Sequence, residues 1–127
     1  MENSPKVLYI EDNTDNRMLV RRVLEAEGYN VLEAASAQEA LDVLEVQTPD
    51  LIFMDINMPQ LDGFQATQII KREQKGTNIV VLSMHSDQQE AAFKSGADEF
   101  IAKGSDAQII KQVVLRFFTE HLKENRS

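Results

Sequence analysis

Short apolar, β-favouring runs alternate along the chain with longer segments whose apolar residues recur at helical spacing. The runs "KVLYI" (6–10), "YNVLEA" (29–34), "DLIFM" (50–54), "NIVVL" (78–82) and "EFIA" (99–102) predict five strands. Three of them are continuously apolar, as strands buried on both faces of a parallel sheet are. Between the strands, Leu19, Val20, Val23 and Leu24 share a helical face, as do Ala40, Leu41, Val43 and Leu44. Ile109, Ile110, Val113, Val114 and Phe117 repeat the pattern in the last segment. Ser36 with Glu39, Ser86 with Gln89, and Ser105 with Gln108 match the capping box that opens a helix. Gly28 and Gly96 stand where helices end in a left-handed residue. The segment 86–95 has only Ala91, Ala92 and Phe93 as apolar residues, so it is expected to be the most mobile element. Five strand–helix alternations predict a three-layer α/β fold with right-handed crossovers. No repeat, low-complexity tract or linker interrupts residues 1–127, which are expected to form a single domain.

Composition narrows the partners. A chain of 127 residues with 43% hydrophobic and 27% charged content is an ordinary globular domain. Its net charge of −8 disfavours direct binding to nucleic acid, which takes clustered Lys and Arg. With no cysteine there is no disulfide, thiolate metal site or thiol nucleophile. The start "MENSPK" lacks the features of a secretory signal, and no apolar run approaches the roughly 20 residues of a membrane span. The expectation is a cytoplasmic protein that does not engage the membrane. No glycine-rich nucleotide fingerprint occurs, which disfavours a nucleotide-binding module.

The chemistry gathers at strand ends. In "LIFMDINMPQLDG" (51–63) a buried-looking strand runs straight into Asp55 and then into a turn holding Asn57, Pro59 and Gly63. Glu11 and Asp12 follow the first strand, Ser83 the fourth and Lys103 the fifth. Open α/β sheets bind ligands beyond the carboxyl ends of their strands, where strand order reverses. If the first and third strands are neighbours there, Glu11, Asp12 and Asp55 converge. Three close carboxylates repel unless a cation offsets them, and a hard divalent ion such as Mg²⁺ suits oxygen ligands. A cation, a hydroxyl and a lysine around one carboxylate make a site for a transferring phosphoryl group. An aspartate near the ordinary value of about 3.9 is already an ionised nucleophile at neutral pH. No histidine base is needed, and His85 and His121 read as exposed polar residues. Singly, each of these groups would pass as a strand-end polar residue or a turn former.

Together they carry a resemblance. Over about residues 5–122 the sequence resembles the receiver domain of two-component response regulators, the CheY-like family. The matching features are Glu11-Asp12, Asp55, "MPQLDG" (58–63), Ser83 and Lys103, in order. The resemblance implies a flavodoxin-like, doubly wound (βα)₅ fold with a parallel sheet of order 2-1-3-4-5. It implies a phosphorylation switch that assists its own phosphorylation and slow dephosphorylation, not a conventional enzyme. Asp55 would accept a phosphoryl group from a sensor histidine kinase or a histidine phosphotransfer protein. Asp12, Asp55 and the backbone carbonyl of Asn57 would bind Mg²⁺, with Glu11 acting through water. Ser83 and Lys103 would contact the phosphoryl oxygens, and Phe100 would swing inward behind Ser83. The surface around strands 4–5 and helices 4–5 would then signal to a downstream protein or an output domain.

Two departures stand out. Family members commonly carry proline after the lysine, often in a cis bond, whereas here Gly104 follows. A non-proline cis bond costs about 2.5–4 kcal/mol, so a trans bond and a looser loop are expected. The residue after the hydroxyl is usually small, and here it is Met84. Met84 and His85 are expected to screen an acyl phosphate from water. A phosphatase of the haloacid-dehalogenase type also forms an aspartyl phosphate, but it needs an acid two residues beyond the nucleophile. Asn57 occupies that position and cannot shuttle the proton. Whether the chain acts alone or as the amino-terminal part of a longer regulator stays open at this level.

Overall fold

A computed structural model describes residues 5–56, 63–74, 76–102 and 106–126, with backbone alone at 106 and 120–126. The elements run β1 (Lys6–Ile10), α1 (Thr14–Ala26), β2 (Asn30–Ala34), α2 (Ala37–Val46), β3 (Leu51–Asp55) and α3 (Gly63–Glu73). They continue with β4 (Asn78–Ser83), a 3₁₀ turn (Ser86–Gln88), α4 (Gln89–Lys94), β5 (Glu99–Ala102) and α5 (Asp106–Arg126). The five strands form one sheet in the order β2-β1-β3-β4-β5, and every neighbouring pair is parallel. The predicted doubly wound α/β fold is what the chain adopts.

Alternation along each strand divides the core in two. Leu8, Ile10, Ile52, Met54, Ile79 and Val81 point to one face, where Ala40 and Leu44 of α2, Ala66 and Ile70 of α3, and Ala92 of α4 cover them. Val7, Tyr9, Leu51, Phe53, Val80 and Leu82 point to the other, beneath Val20 and Leu24 of α1 and Ile110, Val113 and Val114 of α5. The central strand β3 is buried at every residue, because it has a strand on each side and a helical layer on each face. That explains its unbroken apolar run.

Helix ends follow the chemistry the sequence advertises, with one exception. Ser36 caps α2, its Oγ accepting from the Glu39 amide at 3.1 Å, while the Glu39 carboxylate accepts from the Ala35 amide. Gly28 and Gly96 take positive φ of 92° and 110°, and each lets the next residue reach back to the last helical turn. Tyr29 donates to the Leu24 carbonyl and Ala97 to the Ala92 carbonyl. The Ser86–Gln89 box does not form: the chain makes a 3₁₀ turn first, and no side chain caps α4. The Ser105 box and the Lys103–Gly104 bond lie outside the described residues.

Four strand boundaries shift by one residue, among them the start of β3, which is Leu51 and not Asp50. β2 starts at Asn30 because the Tyr29 amide is used to close α1. β3 and β4 extend to Asp55 and Ser83, because Asp55 pairs with Leu82 and Ser83 with Ala102. Both residues are therefore the last of a strand and not the first of a loop. Leu19 is a further correction. It is 53% exposed, since the stripe that α1 buries is Val20 and Leu24, four residues apart, and Leu19 falls beside it.

The entry to α3 presses on the strand end. A Cβ at Gly63 would lie 2.5 Å from Ile56 Cγ2 and 2.9 Å from its Cα, closer than atoms can pack. Thr67 locks the same turn by donating to the Gly63 carbonyl at 2.7 Å. Gly63→Ala is therefore expected to cost about 1–3 kcal/mol in urea unfolding, as overpacked sites do. A loss below about 0.5 kcal/mol, the range of neutral surface changes, would contradict the close approach.

Candidate functional site

Parallel neighbours β1 and β3 end side by side, with Ile10 opposite Met54. The residues beyond that pair are Glu11 and Asp55, which therefore meet at the carboxyl edge of the sheet. Glu11, Asp12 and Asp55 each offer a carboxylate oxygen, and these atoms all lie within 4.8 Å of one another. Glu11 and Asp55 are 1% and 2% exposed, whereas Asp12 faces solvent. At an effective dielectric of about 20, two unit charges at that separation repel by roughly 3.5 kcal/mol. An all-oxygen donor set of this kind, half buried and open on one side, fits a small hard divalent cation that keeps part of its water shell.

The start of α1 holds Glu11 in place. Asn13 caps the helix by accepting from the Asn16 amide at 2.8 Å. That sets Asn16 and Arg17 one turn in, facing back at Glu11. Asn16 Nδ2 donates to Glu11 Oε1 at 3.1 Å, and the buried Tyr9 hydroxyl lies 3.5 Å from the same oxygen. Arg17 Nη1 donates to the Glu11 carbonyl at 2.7 Å, and its Nε pairs with Glu33 Oε1 of β2 at 3.5 Å. Glu33 also pairs with Arg21, which bonds Glu25 as well. These bonds, Glu25 first, hold the Arg21 guanidinium above its ordinary pKa. The acids thus sit beside a chain of ion pairs running along α1 and β2.

The hydroxyl lies on the next strand. Ser83 ends β4, one residue beyond the partner of Asp55, and is fully buried. Its Oγ bonds to the Gln88 carboxamide, accepts from the His85 amide at 2.9 Å, and lies 3.1 Å from the His85 carbonyl. Met84 beside it is 66% exposed. Phe100 is half-buried in β5 and packs against the core beneath α2, α3 and α4. His85 is exposed. Lys103 directly follows β5, but it, Asn57 and Pro59 lie outside the described residues, as does the His121 side chain. Of the sites expected from sequence, the structure brings Glu11, Asp12 and Asp55 together and sets Ser83 on the adjoining strand end.

Sequence alone did not single out Asn16, Arg17, Tyr9 or Gln88. Asn16 had a usable signal, an amide one helical turn after a capping Asn and five residues beyond Glu11. Tyr9 sits in an apolar strand, where a phenol reads as core.

The chain matches the family model described as "Response regulator receiver domain" over residues 7–115. It is 34% identical over 121 residues to the sensor histidine kinase GacS of Pseudomonas protegens, covering 90% of this chain and 13% of that protein. The chain thus spans about an eighth of that relative. It is 32% identical over 117 residues to the polar-differentiation response regulator DivK of Brucella abortus, covering 92% of each. The Thermotoga maritima response regulator TrrA, solved in complex with Mg²⁺-BeF, is 27% identical with a TM-score of 0.79. That match covers 88% of this chain and 97% of the other. No helix among the described residues is long and apolar enough to cross a membrane.

Asn16 offers a test of the architecture around the acids. Asn16→Ala removes a donor from a buried carboxylate, and about 1–3 kcal/mol of stability is expected to go with it. Chemical denaturation measures the loss. Wild-type stability in Asn16→Ala would show that the amide is incidental to Glu11.

Proposed function

The chain belongs to the response regulator receiver domain family, and on that premise we propose that Asp55 is its phosphoryl acceptor. A carboxylate oxygen of Asp55 attacks the phosphorus of a phosphohistidine, and the P–N bond breaks as the imidazole leaves with its electron pair and takes up a proton. The product is an acyl phosphate on Asp55. The donor is a histidine kinase or a histidine phosphotransfer protein, and the setting is the cytoplasm. The observation that carries this reading is the meeting of Glu11, Asp12 and Asp55 within 4.8 Å at the junction of β1 and β3.

Each residue has a task in that reaction. Asp12 and Asp55 would hold Mg²⁺ directly with the Asn57 carbonyl, and Glu11 would hold it through water. When bound, the ion offsets the charge that the phosphoryl oxygens bring to three acids. Burial of Asp55 at the end of a strand packed on both faces fixes its attacking oxygen, which contributes orientation. Ser83 donates its hydroxyl proton to a phosphoryl oxygen, and Lys103 supplies a second, charged donor. Phe100 then follows Ser83 inward, and the β4–β5 and α4–α5 surface changes for a downstream protein or output domain. Residues 1–127 act as one such domain, and its share in its own phosphorylation and slow dephosphorylation is what these side chains provide.

Incubation with acetyl phosphate and Mg²⁺, followed by intact mass measurement, is the direct test. One phosphoryl adduct is expected on the wild type, none on Asp55→Asn, and none when EDTA removes the metal. An adduct that persists in Asp55→Asn would move the acceptor elsewhere.

The lifetime of that adduct tests Met84. Its side chain is 66% exposed and directly follows Ser83, on the strand that neighbours Asp55. Met84→Ala is expected to shorten the half-life several-fold, followed as loss of the adduct after removal of acetyl phosphate. An unchanged half-life would remove Met84 from this role.

A further inference from the structure

Ser83 is the group through which the proposed phosphoryl site reaches β4, and its hydroxyl is already engaged. A serine hydroxyl has one proton to donate and two lone pairs to accept with. Here the Oγ accepts from the His85 amide at 2.9 Å, and its proton is directed at two acceptors, the Gln88 carboxamide oxygen and the His85 carbonyl at 3.1 Å. All three partners belong to the strand exit or to the 3₁₀ turn that follows it. Ser83 is fully buried, so water does not compete for these bonds. The Gln88 carboxamide oxygen is thus an acceptor for the one Ser83 proton.

That single proton cannot serve Gln88 and a phosphoryl oxygen at once. We propose that Gln88 is a positioning residue that holds the Ser83 hydroxyl in the 3₁₀ turn, so that phosphoryl binding at Asp55 must break the Ser83–Gln88 bond before Ser83 can engage. The inference rests on the reading of Asp55 as acceptor and of Ser83 as its hydroxyl donor. The latch explains why the Ser86–Gln89 capping box is not used. The turn winds as 3₁₀ over Ser86–Gln88 and carries Gln88 over the end of β4, and α4 begins only at Gln89. Gln88 is held by a short, largely exposed turn, so its release disturbs little of the core.

Losing one neutral hydrogen bond from the resting form shifts a two-state balance by about 3- to 10-fold. Gln88→Ala is therefore expected to bind beryllofluoride, in the presence of Mg²⁺, about 3- to 10-fold more tightly than the wild type. The gain should vanish when Gln88→Ala is placed on Ser83→Ala, because the bond being released is absent there. Binding can be followed through tyrosine fluorescence or amide NMR shifts, with the His85 amide reporting on Ser83 directly. Thermal melts of each variant show that the fold is retained. No gain in Gln88→Ala, or the same gain with and without Ser83, overturns the latch. If the wild type itself takes up neither beryllofluoride nor a phosphoryl group from acetyl phosphate, the functional reading fails instead.

Discussion

Two carboxylates are kept in the protein interior at the end of adjacent strands, and much of the surrounding structure answers to that arrangement. Glu11 and Asp55 are almost fully buried and share their neighbourhood with the exposed Asp12. Buried carboxylates repel one another and lose hydration, so protein partners must replace the water they give up. The α1 cap supplies them on one side: Asn13 starts the helix, and the helix then delivers Asn16 to the Glu11 carboxylate and Arg17 to its carbonyl. On the other side the β3–β4 ladder continues through Asp55 to the Ile56 amide, which donates to the Leu82 carbonyl at 3.1 Å. Gly63 then lets α3 begin directly against Ile56. The sheet therefore does more than display the acids. Its ladder and its first helix fix where their oxygens can be.

Much of this was legible in the sequence. Strand–helix alternation predicts the layers, since a five-residue apolar run that ends in an acid has few other placements. Glycines at 28 and 96 mark two helix ends for a reason that local sterics alone supply. What escaped the sequence depended on competition between neighbours. Ser86 and Gln89 have the spacing of a capping box, yet Gln88 is bonded to Ser83, and the turn winds tighter to reach it. Leu19 looks like part of an apolar stripe until packing against the sheet and α5 selects Val20 and Leu24. Asp55 and Ser83 belong to strands because their neighbours pair with them, which no local pattern records. The site acids were found from their positions at strand ends, but Asn16 and Tyr9 were not, because their roles exist only once β1 and α1 fold together.

The two faces of the sheet also divide labour. Consecutive residues Phe100 and Ile101 of β5 pack into opposite layers, the first beneath α2, α3 and α4 and the second beneath α1 and α5. A displacement of β5 would be felt differently in each layer. The layer under α1 and α5 is tied by α1 to the acids, while the layer under α4 is tied through the 3₁₀ turn to Ser83.

Strand order gives this site an uneven enclosure. The acids hang from β1 and β3, which have a neighbour on either side, while β5 closes the sheet with one partner, three half-buried residues and one exposed residue. On the reading of Asp55 as acceptor, the reacting group is mounted on the most enclosed strands of the sheet, and the elements that would respond to it on the least enclosed. Under that reading, substitutions around β5 and the turn before α4 would retune the response without touching the acids, so such a protein could adapt its timing while keeping its reaction.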